Sequence, residues 1–308
     1  MNNFLHNKHI EELFLEVQKQ IATGLQNQDG KEKFLSDFWT REEGGGGESM
    51  VISKGNVFEK GGVNFSSVFG NVPEFLVSDK EHSVIGATKK PNQFYATGVS
   101  LVIHPFSPLV PIVHMNIRYF EMDNGVWWFG GGIDLTPIYV DKNDATNFHK
   151  TLKNTCDKHD SSFYPKFKKW ADDYFFISHR NETRGIGGIF FDKLNTESTG
   201  KTKEELLAFV IDIAKTFLPS YLPIVSKNKN LEFSETQKNW QMLRRGRYVE
   251  FNLVYDKGTK FGLETNGRIE SILMSLPLHA SWEYNFKVDE NSKEQQTQQL
   301  LKKEIEWI

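Results

Sequence analysis

The chain has 308 residues, of which 38% are hydrophobic, so it can bury the core of one large domain or of two ordinary ones. Lysine and arginine number 37 against 40 aspartate and glutamate, and a formal charge of -3 excludes a global basic field for nucleic acid. The single cysteine excludes an intrachain disulfide and a cysteine-based zinc cluster, and it fits a reducing compartment.

The N-terminal stretch lacks the basic-then-apolar pattern of a signal peptide and the arginine and serine bias of a transit peptide. No apolar run approaches the ~20 residues that are needed to span a bilayer. The sequence therefore predicts a cytoplasmic protein without an integral membrane segment and without nucleic acid among its partners.

Strands dominate the first half of the chain, after one amphipathic helix. Apolar residues recur at three- and four-residue spacing over 9–25, which is the stripe of a helix that packs one side on a core. The strands predicted next are two short ones within 50–71 and three longer ones over 97–104, 112–120 and 126–133. Prolines at 105, 108 and 111 forbid a helix between the predicted strands 97–104 and 112–120.

Helices dominate the second half. The predicted elements are helices over 143–159 and 165–178, two helices that begin with capping boxes at Thr202 and Ser234, strands over 248–255 and 269–275, and a polar helix from about Lys293. Strands and helices come in blocks and not in strict alternation. The pattern therefore favours one α+β domain over 1–308, built on a mostly antiparallel sheet.

Two apolar runs on either side of the proline loop carry several polar side chains. Successive side chains of a strand point to opposite faces, so Ser100 and His104 share one face of the first run. By the same rule, His114, Asn116 and Arg118 share one face of the second run, whereas the residues of opposite parity are apolar. If the strands pair antiparallel, the polar residues merge into one patch, ~13 Å long from the second histidine to the arginine. We interpret this patch as the binding site of a sizeable ligand.

A glycine run precedes a carboxylate in 127-WWFGGGIDLTP-137. The three glycines let a ligand or another backbone approach closely. Asp134 follows them, and the neighbouring Trp127 and Trp128 are expected to disfavour its charged form, which makes it a candidate proton acceptor or N–H binder. The alternative is a simple turn with a capping aspartate.

A cationic cluster lies in the run from His179 to Arg184, which also contains Arg180. Arginine matches a carboxylate with two parallel hydrogen bonds, so the run is interpreted as a carboxylate-binding corner. The alternative is a polar helix end in which an arginine pairs with Glu182. The glycines that follow lack the third glycine of a dinucleotide fingerprint and follow a helix, so nucleotide binding is rejected.

Three other runs have simpler interpretations. Arg244, Arg245 and Arg247 are interpreted as a solvated helix terminus. The turn at 266–268 ends on an arginine that could reach a ligand. The glycine run 44–47 is interpreted as a linker or a mobile lid.

Histidine and carboxylate side chains also allow a metal site, and a 2-His-1-carboxylate iron centre is an alternative for oxygen chemistry. No HxH or HExxH spacing supports it. The histidines that could converge are His104, His114, His149 and His179.

With these residues in view, the sequence resembles the oxygen-dependent coproporphyrinogen III oxidases over nearly its whole length. The blocks that carry the resemblance are ATGVSLVIHP, HMNIRYFE, WWFGGGIDLTP, YPKFKKW, HRNETRGIGGIFFD and RRGRYVEFNLVYDKGTKFGLETNGRIESILMSLP. The resemblance implies a large antiparallel sheet flanked on both faces by helices, and a homodimer whose interface uses the segment 248–278. It also implies oxidative decarboxylation of two propionates of coproporphyrinogen III to vinyl groups in heme biosynthesis, with dioxygen as co-substrate.

The resemblance assigns roles to individual residues. His114 is implied as a proton donor, and Asp134 is the candidate that binds or deprotonates a pyrrole N–H. The implied substrate-binding residues are Ser100, Asn116, Ile117, Arg118, Asn266, Gly267 and Arg268. No redox cofactor is implied, whereas a divalent metal on the four histidines is an open possibility. Two rival classes stay open: a non-catalytic porphyrin-binding protein and a metal-dependent oxygenase of another aromatic acid.

Overall fold

A computed structural model describes residues 7–72, 91–264 and 267–308. Within these ranges, seven strands form one antiparallel sheet in the order β1-β2-β3-β4-β5-β6-β9. Their bounds are β1 Leu35–Thr40, β2 Gly45–Ser53, β3 Phe58–Asn71, β4 Gln93–Pro105, β5 Ile112–Met122, β6 Trp127–Thr136 and β9 Gly188–Leu194. A separate two-stranded ladder joins β7 Phe176–Ile177 to β8 Glu182–Thr183.

The helices of the described residues lie before, between and after these strands. Their bounds are α1 Lys8–Asp29, α2 Lys142–Asp157, α3 Phe163–Tyr174, α4 Thr196–Thr199, α5 Lys203–Asn228, α6 Glu235–Val254, α7 Lys257–Glu264, α8 Ile269–Leu273 and α9 Lys293–Leu300. The predicted capping boxes are confirmed, because the Thr202 and Ser234 side chains accept from the backbone of the third helical residue of α5 and α6.

One face of the sheet is apolar and forms the main core. The register aligns Val63, Leu101, Met115, Ile133 and Ile189 in a row across five strands, and none of the five is exposed. Helices α1, α2, α3 and α5 pack on this side. The row follows directly from the period of two along each strand, which brings residues of one parity to one face.

The opposite face carries the polar residues and is covered in part by α6 and α8. Tyr248 of α6 packs edge-on against His104, and Met274, next to α8, fills the space above Gly62. The sheet therefore has helices on both faces, which confirms the predicted α+β fold. Between these helices and the sheet edge at β9, Ser100 and Arg118 on the polar face stay exposed to solvent, and this open region is called the cleft below.

Helix α5 meets the length and hydropathy criteria for a membrane span, and it is the helix among the described residues that does so. However, 61% of its apolar window is buried inside the structure. It packs on α1, α2 and the sheet, as the central helix of a core does.

Two predicted strands were wrong. The run 248–255 continues α6, and most of 269–275 is α8. In α6 the buried residues Arg244, Tyr248 and Phe251 follow helical spacing, so packing of one helix side outweighs the strand preference of its aromatic and β-branched residues. The aromatic and β-branched content of this run was a misleading signal.

The interpretations of two other runs were also wrong. Gly45, Gly46 and Gly47 begin β2, where a Cβ on Gly47 would lie 2.2 Å from the Phe65 carbonyl oxygen, so the run is neither linker nor lid. Arg245 is not solvated: it is fully buried and donates to Glu59 and to the Pro105 carbonyl.

Candidate active site

The register brings the predicted polar residues together on one face. Ser100 of β4 lies directly opposite Asn116 of β5, and His114 lies directly opposite Asp134 of β6. Directly opposed residues of an antiparallel pair have Cβ atoms about 4.5–5.5 Å apart, which is contact distance for side chains. Arg118 completes the patch further along β5.

His114 and Asp134 form the buried end of this patch. The His114 Nδ1–H donates to Asp134 Oδ1 at 2.8 Å, and the carboxylate is 1% exposed. Arg184 donates to both carboxylate oxygens, at 2.7 and 2.9 Å. The aspartate therefore orients the imidazole and does not itself face the cleft.

Burial alone would raise the pKa of Asp134, but the charge of Arg184 and the hydrogen bond from His114 offset it, and the net effect is a lowered pKa. The expected influence of the tryptophans was wrong. Trp127 lies opposite Glu121 at the other end of β6, seven residues away, which is roughly 23 Å along a strand. The carboxylate is held ionised by a cation instead of being neutralised by apolar rings.

Arg184 was predicted to belong to a carboxylate-binding corner, and the carboxylate it binds is that of Asp134. Its guanidinium is sandwiched by aromatic rings, 4.4 Å from the centroid of Phe175, 4.7 Å from Tyr248 and 4.6 Å from Phe251. Cation–π contact stabilises such a buried guanidinium. The alternative pairing with Glu182 is made by Arg244.

The Asn116 side chain links His114 to the cleft. Its Nδ2 lies 3.2 Å from His114 Nε2, on the side of the ring away from Asp134. An amide nitrogen can only donate, so Nε2 accepts and the imidazole carries its proton on Nδ1. Asn116 Oδ1 is buried and has no hydrogen-bond partner among the described residues, so it is an acceptor that the protein itself leaves unused there.

Arg118 occupies the middle of the cleft and is 40% exposed at its side chain. It lies between Gly98 of β4 and Gly130 of β6, so neither adjacent strand places a side chain directly opposite it. Its Nη2 lies 3.2 Å from Oδ1 of Asp192 on β9. Gly130 makes room for this ion pair. The close approach of another backbone holds for the other two glycines, because a Cβ on Gly131 would lie 2.7 Å from the Asn116 carbonyl oxygen and one on Gly132 2.8 Å from the Ile189 carbonyl oxygen.

Aromatic rings border the patch on two sides. Phe120 and Trp128 stack with ring centroids 4.4 Å apart beyond Arg118, and Phe94 stacks on Phe120 at 5.6 Å. On the β9 side, Tyr174 stacks on Phe190 at 4.0 Å. A cleft with a cation and an amide between apolar walls suits a large, partly apolar anion.

The remaining predicted substrate-binding residues are spread more widely. The Ile117 side chain is fully buried in the main core, on the apolar face of the sheet, so only its backbone can reach a ligand on the polar face. Arg268 pairs with Asp37 on β1 and donates to Ser271, at the far side of the sheet from Asp134. Gly267 accompanies it, and Asn266 lies outside the described residues.

The four histidines of the metal prediction have separate partners. His104 Nε2 contacts the Ser275 carbonyl at 2.8 Å, and buried His149 lies between the Tyr164 hydroxyl and the Ile186 carbonyl. His179 contacts Glu250 and Tyr255, and His114 contacts Asp134. No group of three potential metal ligands is found in the described ranges.

Sequence reasoning missed Asp192, Tyr174 and the aromatic clamp on Arg184. The alternation of side chains along β9 was the available signal for Asp192, since Asp192 lies two residues after Phe190 and therefore points to the same, polar face of the sheet. A cavity of about 440 Å³ lies elsewhere, between α2, α5 and α9, and no predicted site residue lines it.

The fold and the site together describe an α+β protein that presents a cation, an amide and a histidine–aspartate pair on one face of an antiparallel sheet. Comparison with known proteins narrows this class. The coproporphyrinogen III oxidase family model matches residues 9–307, and the chain belongs to this family.

Relatives from distant organisms agree. The chain is 52% identical over 306 residues to the human protein named oxygen-dependent coproporphyrinogen-III oxidase, mitochondrial. The aligned region covers 97% of this chain and 66% of the human one. It is 49% identical to the Drosophila melanogaster oxygen-dependent coproporphyrinogen-III oxidase, covering 99% and 79% of the two chains. For the Prochlorococcus marinus (strain NATL2A) protein of that name the identity is 47%, and the coverage is 97% and 90%.

Proposed function

We propose that this protein catalyses the oxygen-dependent oxidative decarboxylation of two propionates of coproporphyrinogen III to vinyl groups, which gives protoporphyrinogen IX for heme biosynthesis. The names of its relatives support the reaction. The observation that carries the proposal is the cross-strand alignment of Ser100, Asn116 and Arg118 with the His114–Asp134 pair on one sheet face. A carboxylate-bearing ring with pyrrole N–H groups matches this set of a cation, a free amide oxygen and a histidine.

In this proposal each polar group has one task. Arg118 binds a propionate, and Ser100, which lies opposite Asn116, is a second donor on the same face. Asn116 Oδ1 accepts a pyrrole N–H. His114 moves a proton at Nε2, while Asp134 acts through the Nδ1–H bond and stabilises the charged imidazole, since its own oxygens are held by Arg184.

The chemistry requires an oxidant but little from the protein beyond orientation and proton transfer. Each propionate loses carbon dioxide and, formally, a hydride from its β-carbon, leaving a vinyl group. Dioxygen takes up the hydride and one proton and becomes hydrogen peroxide. The reduced macrocycle is electron-rich, so it can supply the electrons itself, and the cleft holds the ring in place while protons move.

A bound metal stays a prediction, and no step of this proposal depends on one. The contacts of His104 and His149 with backbone carbonyls do not support the predicted four-histidine site. Elemental analysis of purified protein, and activity after exhaustive chelation, would test it. Activity lost on chelation and restored by one metal would favour the metal-dependent alternative.

A homodimer and a cytoplasmic location also belong to the proposal. The predicted interface segment 248–278 carries exposed apolar side chains, which supports a second copy as the partner; these are Leu253, Val254, Phe261, Leu263, Ile269 and Leu278. The human relative is named mitochondrial and an Arabidopsis thaliana relative chloroplastic. Cell fractionation would separate a cytoplasmic location from an organellar one.

The reaction is tested by incubating purified protein with coproporphyrinogen III in air. We expect protoporphyrin fluorescence after oxidation of the product, and no product without oxygen. Tight binding without product would instead identify a porphyrin-binding protein.

His114→Asn tests the proposed proton path. Asparagine can keep the bond to Asp134 but carries no titratable nitrogen, so we expect kcat to fall by about 10²–10⁴, the usual contribution of general acid–base catalysis. The Michaelis constant should change little, because Arg118 and Asn116 stay in place. His9→Asn, on the exposed side of α1, is the matched control. A wild-type rate for His114→Asn would remove this residue from the mechanism.

A further inference from the structure

Asp192 is the carboxylate of the cleft to which the proposed mechanism gives no task. It lies on the edge strand β9, and its side chain is 30% exposed. Its ion-pair partner among the described residues is Arg118, two strands away on β5. The guanidinium therefore extends across β6 to reach it.

Gly130 is the residue that allows this reach. A Cβ built on Gly130 would lie 2.6 Å from Arg118 Nε and 2.6 Å from Asp192 Oδ1. Both distances are below any real contact, so a side chain at this position would separate the two groups. The sequence thus keeps the bridge between β5 and β9 open.

The pair is formed but poorly aligned. The Nη2–Oδ1 distance is 3.2 Å, yet Asp192 Oδ1 is a buried atom without a hydrogen-bond partner in the described part of the chain. An Arg–carboxylate pair of good geometry has two parallel hydrogen bonds. Arg118 thus keeps donor capacity for a second carboxylate, while a negative charge already lies beside it.

We propose that Asp192 sets the affinity of Arg118 for the propionates of the substrate. Its carboxylate competes with an incoming carboxylate for the guanidinium and holds that guanidinium over Gly130 in the free enzyme. A substrate with four propionates is thereby bound weakly enough at this point to be released after two of its carboxylates are lost. This inference rests on the proposed function for the identity of the ligand, but the competition at Arg118 applies to any carboxylate.

Asp192→Asn tests the proposal, since the amide keeps the shape and removes the charge. The probe is coproporphyrin III, the oxidised ring that keeps four propionates and does not react, and its binding is followed by porphyrin fluorescence. We expect its dissociation constant to fall by roughly threefold to tenfold, the net contribution of one hydrogen bond for which the ligand no longer has to compete. The Michaelis constant of coproporphyrinogen III should fall in parallel. Unchanged or weaker binding would overturn the proposal.

Two further variants separate competition from simple repulsion. Asp192→Glu keeps the charge and should keep affinity near that of the wild type. In an Arg118→Ala background, Asp192→Asn should change affinity less than twofold, because no guanidinium is left to compete for. An equal gain in both backgrounds would mean that Asp192 repels the ligand directly, and it would overturn the proposed competition.

Glutarate, a small dicarboxylate, provides a measurement that does not depend on the porphyrin reaction. Calorimetry should show tighter binding of glutarate to Asp192→Asn than to the wild type. A gain for glutarate with no turnover of coproporphyrinogen III would keep the competition and reject the proposed reaction. Turnover with no gain for either probe would do the reverse. Far-ultraviolet circular dichroism of each variant checks that the fold is intact.

Discussion

The buried ionisable groups of the site differ in how their charge is supported. Asp134 is charged because Arg184 and His114 surround it, and Arg184 is in turn enclosed by three aromatic rings. Removing Arg184 or Asp134 would leave the buried charge of the other unpaired, which costs about 3–5 kcal/mol. The Asp134–Arg184 pair is thus a fixed part of the site, whereas Arg118 and Asp192 are partly exposed and can change partners.

His149 should make stability depend on pH. Burial lowers its pKa to about 4 and that of His104 to about 3, because the charged form loses its hydration. Below the unfolded pKa of about 6.5, the unfolded chain binds protons that the folded chain does not. We expect the free energy of unfolding to fall by about 1.4 kcal/mol per pH unit for each such histidine as pH falls from 6.5 towards 4.

Urea unfolding at pH 7, 6 and 5 measures this slope. His149→Gln, which keeps a side-chain donor and acceptor, should reduce the slope by the share of one histidine. His9→Gln on the exposed side of α1 should leave it unchanged. Equal slopes for the wild type and His149→Gln would show that this histidine is not neutral in the folded protein.

At this scale the sequence predicted the parity of the site but not its electrostatics. Period two along a strand is local, so the common face of His114, Asn116 and Arg118 could be derived. The partner of Asp134 lies 50 residues away in the chain, and the partner of Arg118 is 74 residues away in the printed sequence. Such pairings depend on which strands become neighbours, which the pattern of one strand does not contain.

Among the elements, α8 and the residues that follow it are attached to the sheet mainly by polar contacts. Ser49 Oγ lies 2.9 Å from Ser271 Oγ, and Asn64 donates to the Ser271 carbonyl at 2.9 Å. Lys60 donates to the Leu276 carbonyl at 2.8 Å. By contrast, α5 is held by a row of fully buried apolar side chains. Hydrogen bonds exchange with water at small net cost, so α8 should open before the core does.

Hydrogen exchange tests this difference. Asn64→Ala removes one hydrogen bond, worth about 1 kcal/mol, and should speed exchange of the α8 amides by about fivefold. Exchange in α5 should stay unchanged, which serves as the internal control. Equal acceleration in both helices would mean that α8 and the core open together.

The elements that the sequence predicted well are those with a local signal. Capping boxes marked the beginnings of α5 and α6, and the amphipathic stripe marked α1. The end of α6 could not be derived, because Tyr248 to Tyr255 is rich in the aromatic and β-branched residues that strands prefer. Burial of Arg245 against Glu59 and of Phe251 against Phe175 decides for the helix, and those contacts are long-range.

For the whole molecule, the exposed apolar residues of α6 to α8 should be covered by a second copy. Sedimentation velocity of the wild type should therefore show a dimer. Leu253→Arg, at a side chain 46% exposed, should shift it to a monomer with little change in melting temperature. Leu231→Arg, at a side chain 50% exposed outside this segment, is the matched control. A monomeric wild type would reject the dimer.

Two glycines of the polar face leave space that neighbouring side chains occupy. Gly62 admits Met274, Gly130 admits Arg118 and Asp192, and in each case an added methyl group would lie 2.6 Å or less from its neighbour. Alanine at Gly62 or Gly130 would consequently displace these side chains from their observed positions, although neither glycine carries a polar group of its own. Mutational sensitivity on this face would then outline a larger region than the chemistry itself occupies.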